Sequence, residues 1–167
     1  MRTEEGKGRD AAAPPPGGPR ERLVVKDPDD MHVLARYLQA MLLGLLADPG
    51  KVKELERLKL TVAIEPPAHP GCALTLGFAG GRVVLECGAA PGADIRIGCE
   101  PAMLMKLARM PAGRAAFGFL RTHEGRAVVA GLRSGEVKIR GVLRHPLGMM
   151  RFSRFLAPSA AREGMRT

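Results

Sequence analysis

Several short segments of the chain alternate strictly between apolar and polar residues. In residues 134–141, Val137 and Ile139 alternate with charged residues. A period of two is typical of a strand with one buried and one solvated face. We therefore predict a sheet of five strands, mostly antiparallel and solvated on one face. The four earlier strands have the apolar rows Leu58, Leu60, Val62 and Ile64; Cys72, Leu74, Leu76 and Phe78; Val83, Leu85 and Cys87; and Ile95, Ile97 and Cys99.

Other segments repeat their apolar residues at steps of three and four, which predicts helices. The first helix is expected from about residue 30 to residue 47, after acidic residues that can cap its start. Shorter helices are predicted over residues 51–58, 101–110 and 146–156. Between residues 111 and 134 the pattern is less regular and indicates two short helices, one at Phe117, Phe119 and Leu120 and one over residues 126–132.

The buried face of such a sheet needs a cover of helices, which predicts an α+β fold with helices on one face of the sheet. We expect one domain over residues 27–157. Residues 1–26 hold a run of Ala, Pro and Gly among charged residues and cannot bury enough surface to offset their ordering entropy. We expect this segment to be a disordered N-terminal tail, and residues 158–167 to be a C-terminal tail.

The composition indicates an aliphatic interior. Apolar residues make up 46% of the chain, which suffices for a core, but aromatic residues only 4%. Nine residues are Met, and Met103, Met105 and Met110 fall on one predicted helix. Methionine side chains adapt to irregular shapes, so the count fits both ordinary core filling and the wall of a ligand site.

The cysteines indicate a reducing compartment. Cys72, Cys87 and Cys99 form no C-x-x-C pair, and each lies in the apolar row of a predicted strand, as buried free thiols do. A zinc site would need Cys or His ligands at closer spacing. The chain has no apolar run of membrane-spanning length and no secretory signal at its start. We expect a cytoplasmic protein that needs no metal or cofactor.

Positive charge is concentrated in the last two-fifths of the chain. Residues 1–100 contain 13 Lys and Arg against 14 Asp and Glu, a net charge of −1, whereas residues 101–167 contain 13 against 3, a net charge of +10. Such a surface could meet nucleic acid, anionic lipid headgroups or an acidic protein, or could simply be solvated. No aromatic residue falls on the solvated face of a predicted strand, where it could stack on bases, which argues against nucleic acid.

No catalytic constellation is visible. The chain has no G-x-S-x-G, no phosphate loop and no G-x-G-x-x-G after a predicted strand. Most strand carboxylates fall at solvated positions. We therefore do not expect an enzyme. The four histidines are widely separated, at His32, His69, His123 and His145.

Two segments resemble a known family. Residues 132–141, Leu-Arg-Ser-Gly-Glu-Val-Lys-Ile-Arg-Gly, are similar to the short helix, Ser/Gly turn and last strand of the sterol carrier protein type two domain family. Residues 93–101, followed by Leu104 and Leu107, resemble that family's fourth strand where it runs into a helix. With the helix and three-strand meander that precede them, the resemblance covers residues 30–157.

The resemblance implies an apolar cavity between the sheet and the helices. It also implies non-catalytic binding or transfer of an apolar lipid: a sterol, a fatty acyl chain, an acyl-CoA or an isoprenoid quinone intermediate. A lipid site needs mainly apolar walls, although each candidate side chain would equally serve as core. We expect the ligand-binding residues to be Met103, Leu104, Leu107, Phe117, Leu120, Val137, Ile139, Met149, Phe152 and Leu156.

Arginines near the last predicted helix are candidates for a second contact. Arg144, Arg151 and Arg154 lie near or on the face opposite its apolar side, where they could contact an anionic membrane or an acidic protein, or remain solvated. The alternative function is an accessory or scaffolding module whose cavity is unoccupied and whose basic face binds a protein partner. The sequence leaves the oligomeric state open.

Overall fold

A six-stranded mixed sheet forms the centre of the protein, as seen in a computed structural model that describes residues 17–108, 118 and 121–157. The strands lie in the order β1-β4-β3-β2-β5-β6. Three neighbouring pairs are antiparallel, and the pairs β1–β4 and β2–β5 are parallel. The strands are β1 Leu23–Val25, β2 Leu60–Ile64, β3 Leu74–Ala79, β4 Arg82–Cys87, β5 Ile95–Gly98 and β6 Lys138–Arg140.

Each of the five predicted segments forms a strand, but the sheet has one strand more than predicted and is mixed, since two of its five strand pairs are parallel. Alternation reveals which face of a strand is buried and says nothing about its direction, so the parallel pairs could not be expected. The β3–β4 hairpin lies on one side of β2, and β5 returns to the other side in parallel with it.

The sixth strand comes from a segment that we expected to be disordered. Residues 19–25 form a helical turn and β1, whose Leu23 is buried and pairs with Val83. The buried Arg22 side chain donates a hydrogen bond to the Gly81 carbonyl, 3.3 Å away, and lies 3.7 Å from the Glu56 carboxylate. Three strand residues are too few to show a period of two. The Pro- and Gly-rich run before them indicates disorder, so the sequence did not predict β1.

Six helices accompany the sheet in the described ranges. The predicted start of the second was wrong: acidic Asp30 lies in a 3-10 turn, and His32 caps the helix by accepting a hydrogen bond from the Ala35 N–H at Nδ1, 3.2 Å away. The imidazole Nε2 lies 3.2 Å from the Ala73 carbonyl, which ties the helix start to the sheet. The helices are α1 Pro19–Arg22, α2 Val33–Leu46, α3 Pro49–Glu56, α4 Pro101–Ala108, α5 His123–Ser134 and α6 Pro146–Leu156.

The helix α6 is anchored to the inner face of the sheet near its C-terminal end. The Phe78 ring of β3 meets the Phe152 and Phe155 rings edge-on, with centroids 5.5 Å and 5.8 Å apart. The buried Lys51 ammonium of α3 donates a 2.6 Å hydrogen bond to the Arg154 carbonyl. Burial lowers the pKa of Lys51, and the carboxylates of Asp48 and Glu54 oppose this shift.

Part of the outer face of the sheet is covered by a loop rather than by water. The Thr75 hydroxyl of β3, 5% exposed, donates to the Gly88 carbonyl and accepts from the Ala90 N–H, at 2.7 Å and 2.9 Å. The Arg96 guanidinium of β5 donates to the Ala90 and Pro91 carbonyls. The expected solvated face is therefore open to water only in part.

Candidate functional site

An apolar cavity of about 250 Å³ lies between the inner face of the sheet and the helices. Its strand side includes Ile64, Ile97 and Ile139, which are paired directly across β2, β5 and β6 and so share one face. Leu76 of β3 extends this surface. Of the fourteen side chains that the structure describes around the cavity, only Ser153 is polar and none is charged. The cavity therefore suits an apolar ligand and offers almost no hydrogen bonds.

Four helices contribute the rest of the wall, and each does so with residues three or four positions apart. This spacing places side chains on one helix face. In α6, Met149, Phe152, Ser153 and Leu156 face the cavity. The other helical contributors are Leu38 and Met41 of α2, Leu104 and Leu107 of α4, and Val128 and Leu132 of α5.

Six of the ten residues that we predicted as ligand-binding surround this cavity. Two others, Met103 and Val137, pack against α5 at Gly131, where an added Cβ would lie 3.0 Å from the Met103 Cε and 3.3 Å from the Val137 Cγ2. Phe117 and Leu120 lie outside the described residues. Ligand contact by any of the ten stays a prediction. The six at the cavity are Leu104, Leu107, Ile139, Met149, Phe152 and Leu156.

Eight further lining residues were not predicted as site residues. Their apolar periodicity did mark most of them as interior, but periodicity cannot tell filled core from a wall beside empty space. Ser153 carried no signal at all, because a single serine in a helix is usually solvated. These residues are Leu38, Met41, Ile64, Leu76, Ile97, Val128, Leu132 and Ser153.

The cavity is small for a lipid site, and one side chain of its wall is exposed. Its 250 Å³ exceed the roughly 150 Å³ of an engineered cavity that binds benzene, but fall below the 300–1,000 Å³ typical of ligand pockets. Leu132 is 46% exposed, more than any other side chain in the wall.

The most buried thiol of the described chain, that of Cys99, is a weak nucleophile. Cys99 follows β5 and is completely buried. Burial, and to a lesser extent the negative charge of Glu100, raises the pKa of the Cys99 thiol to about 11. A thiol with that pKa is neutral at physiological pH and is a poor nucleophile. In the parts of the chain that the structure describes, no cluster of three or more His, Cys, Asp or Glu side chains could hold a metal ion.

A polar cleft of about 650 Å³ lies at the β6 edge, between the loop before β5 and the turn after β6. Arg96 and Arg140 are direct cross-strand partners beside it, and Arg96 forms an ion pair with Glu65. The His145 Nε2 lies 3.5 Å from the Asp94 carboxylate, which also accepts a 2.8 Å hydrogen bond from the Thr61 N–H. This cleft has the cations that the cavity lacks.

The three predicted contact arginines are all exposed. Arg144 borders the polar cleft, in the turn between β6 and α6. The Arg151 guanidinium donates a 2.8 Å hydrogen bond to the Arg57 carbonyl, and Arg154 lies one turn further along α6. Whether they contact a membrane or a protein stays a prediction. None of the described helices is long and apolar enough to span a membrane.

Comparisons with known proteins identify the fold. No protein-family model matches the chain, and no curated protein matches it significantly. Among solved structures, the chain is similar to "UbiJ-SCP2 Ubiquinone synthesis protein", with a TM-score of 0.50 and 19% identity over 74% of this chain and 93% of that one. A crystal structure of sterol carrier protein 2 matches with a TM-score of 0.46 and 14% identity, over 76% and 93% of the two chains.

At such low identity the likeness shows the fold alone. The chain has the fold of the sterol carrier protein 2 domain, and the resemblance seen in its sequence is confirmed to that extent. The α+β class is confirmed as well, with the corrected sheet described above.

Proposed function

We propose that this protein binds an apolar lipid in the cavity between sheet and helices and holds or transfers it without changing it chemically. The observation that carries the proposal is the wall of the cavity, in which thirteen of the fourteen described side chains are apolar. Empty space of this size destabilises a fold, at about 24 cal/mol per Å³ in measured cases. A cavity retained at that cost is best explained by an occupant.

The size of the cavity limits the ligand. If each methylene occupies about as much space as a water molecule, roughly 30 Å³, the cavity of 250 Å³ holds about eight of them. Burying eight methylenes is worth about 6 kcal/mol before the loss of ligand freedom is subtracted. We therefore expect an acyl or isoprenoid chain, bound more weakly than micromolar unless the helices move apart to admit more of it.

Non-catalytic binding is supported by the chemistry of the wall. A reaction needs a proton donor or acceptor, a nucleophile or a charge beside the reacting atoms. Among its described residues the wall offers a single hydroxyl, on Ser153, and no titratable side chain. The solved structures with this fold carry names that refer to sterol carriage and ubiquinone synthesis. We extend to this chain only the general property of binding an apolar lipid.

Two adjacent methionines provide a matched test. Met149 borders the cavity, whereas Met150 is 45% exposed on the other side of α6. Native mass spectrometry of the protein incubated with an excess of a fatty acid or an isoprenol should detect a bound lipid in the wild type. The lipid should be lost in Met149→Glu and retained in Met150→Glu, because only the first substitution places an unpaired charge in the apolar wall.

Circular dichroism and thermal melting would establish that both variants fold. A lipid retained in folded Met149→Glu would refute the cavity as its site. A wild-type protein that carries no lipid, and takes up none from a series of fatty acids and isoprenols, would refute the proposed function itself.

A further inference from the structure

The face of α6 that points away from the cavity carries exposed apolar side chains. Leu147 is 64% exposed and Met150 45%. In the turn before the helix, four residues ahead of Leu147, Leu143 is 97% exposed. Isolated leucines on a protein surface are ordinary. Leu147 and Met150 lie three residues apart and so share one face of α6, and with Leu143 in the turn just before the helix they place three large exposed apolar side chains at its N-terminal end. We call this group the strip, and such a group requires an explanation.

Arginines accompany the strip along its whole length. Arg151 follows Leu147 by four residues and Arg154 follows Met150 by four, so they share its face of α6. Arg144 lies next to Leu143 in the turn. In residues 17–108 and 121–157, no carboxylate forms an ion pair with Arg144, Arg151 or Arg154. The strip therefore combines exposed apolar side chains with positive charge that the described chain does not neutralise.

We propose that this strip, formed by Leu143, Leu147 and Met150 with Arg144, Arg151 and Arg154, docks on an anionic lipid bilayer. Apolar side chains enter the boundary between headgroups and acyl chains, and arginines contact the lipid phosphates. Charge complementarity favours this occupant, because an anionic bilayer offers phosphates to the arginines and an apolar phase to the leucines beside them. A nucleic acid would engage the arginines and leave the leucines in water.

Docking would bring the ligand cavity to the membrane surface. Met149, Phe152 and Leu156 form part of the cavity wall from the opposite face of the same helix. One helix would thus separate the bilayer from the cavity. The docking inference does not rest on the proposed lipid binding, since it follows from the outer face of α6 alone. Loss of ligand in Met149→Glu, for example, should leave docking unchanged.

Vesicle co-sedimentation of the full chain tests the proposal. The wild type should bind phosphatidylcholine vesicles that contain phosphatidylserine, and only weakly those that do not. The double variants Leu143→Ser/Leu147→Ser and Arg144→Gln/Arg154→Gln should each lower binding about tenfold or more. All four side chains are exposed, so neither variant should disturb the fold.

The helix α2 offers a matched control. Val33 is 84% exposed and Arg36 is also exposed, so Val33→Ser/Arg36→Gln removes the same kinds of side chain. The start of α2 contacts the sheet at Ala73, whereas Gly148 of α6 lies against Leu60 at the other end of β2. The control should therefore bind vesicles as the wild type does.

A tryptophan would report insertion directly, because the chain contains none. The fluorescence of Leu147→Trp should shift to the blue and be quenched by brominated lipid when anionic vesicles are added. The fluorescence of Val33→Trp should not change. Both substitutions are at exposed positions, so they should leave the fold intact.

Several outcomes would overturn the proposal. One is a wild type that binds no vesicles; another is equal binding to neutral and anionic vesicles. A loss of binding as large in the Val33→Ser/Arg36→Gln control would show that the strip is not the contact. Binding to DNA or to an acidic protein that depends on the arginines but not on the leucines, without vesicle binding, would assign the face to that partner instead.

Discussion

Filling the cavity from Ser153 should raise the stability of the protein and lower its affinity for ligand. Ser153 is the polar member of the cavity wall and is half-buried on α6. In Ser153→Phe a phenyl ring replaces a hydroxyl. A ring of that kind occupies on the order of 100 Å³, close to half of the 250 Å³ available. The two effects have opposite signs, which distinguishes this change from general damage to the fold.

The magnitudes follow from the volume. Filling roughly 100 Å³ of empty space is worth up to about 2.4 kcal/mol at 24 cal/mol per Å³. Imperfect fit of the ring costs about 1 kcal/mol or more. We expect a net gain of about 1 kcal/mol, which raises the melting temperature by about 3 °C. Excluding about four methylenes of a bound chain costs about 3 kcal/mol, so affinity should fall more than a hundredfold.

Differential scanning calorimetry of lipid-free protein and displacement of a fluorescent fatty acid would measure both quantities. Arg154→Phe, which adds a ring on the exposed face of the same helix, serves as the control and should leave affinity unchanged in the absence of membranes. Unchanged affinity in Ser153→Phe would show that the ligand binds elsewhere. A large loss of stability in Ser153→Phe would show that the space is not available to a side chain.

Two further predictions concern other parts of the fold. Because burial raises the pKa of the Cys99 thiol to about 11 and also blocks access to its sulfur, Cys99 should react with a disulfide reagent at pH 8 at least about tenfold more slowly in the folded protein than in urea; equal rates in the folded protein and in urea would contradict this. Gly141→Ala should destabilise the protein by about 3 kcal/mol or more in urea unfolding, because φ is +88° and the new Cβ would lie 2.0 Å from the Asp94 carbonyl oxygen. Gly88→Ala, at φ +94° with free space around it, should cost only about 1 kcal/mol, and equal losses would refute the steric argument.

Strong periodicity explains what could be predicted from the sequence. Segments such as residues 82–87 expose one face and bury the other, so alternation identified them without any knowledge of their neighbours. The α6 boundaries also agree with prediction, because Pro146 starts the helix and the apolar spacing continues to Leu156. In both cases a local rule and the tertiary environment favour the same structure.

Features that depend on distant parts of the chain could not be predicted. The strand β1 forms because Leu23 pairs with Val83 and the Arg22 side chain donates a hydrogen bond to the Gly81 carbonyl. Both partners lie about sixty residues further along the chain. The cap of α2 likewise depends on the position of Ala73, which orients His32. The cavity is the feature that sequence analysis is least able to predict. A cavity exists where side chains from four helices fail to meet, and no pattern in one segment records that.

The two faces of α6 connect the proposals to each other. Its C-terminal half is anchored by the rings of Phe152 and Phe155 on Phe78, and by the Lys51 ammonium on the Arg154 carbonyl. Its N-terminal half, which carries Leu147 and Met150 outward and Met149 toward the cavity, packs close to Leu60 at Gly148 by apolar contact. The Arg151 guanidinium also donates to the Arg57 carbonyl, so polar contacts hold both halves of the helix. A bilayer that binds the outer strip would contact the same helix that carries Met149 into the cavity wall, so docking and ligand binding would take place on opposite faces of α6.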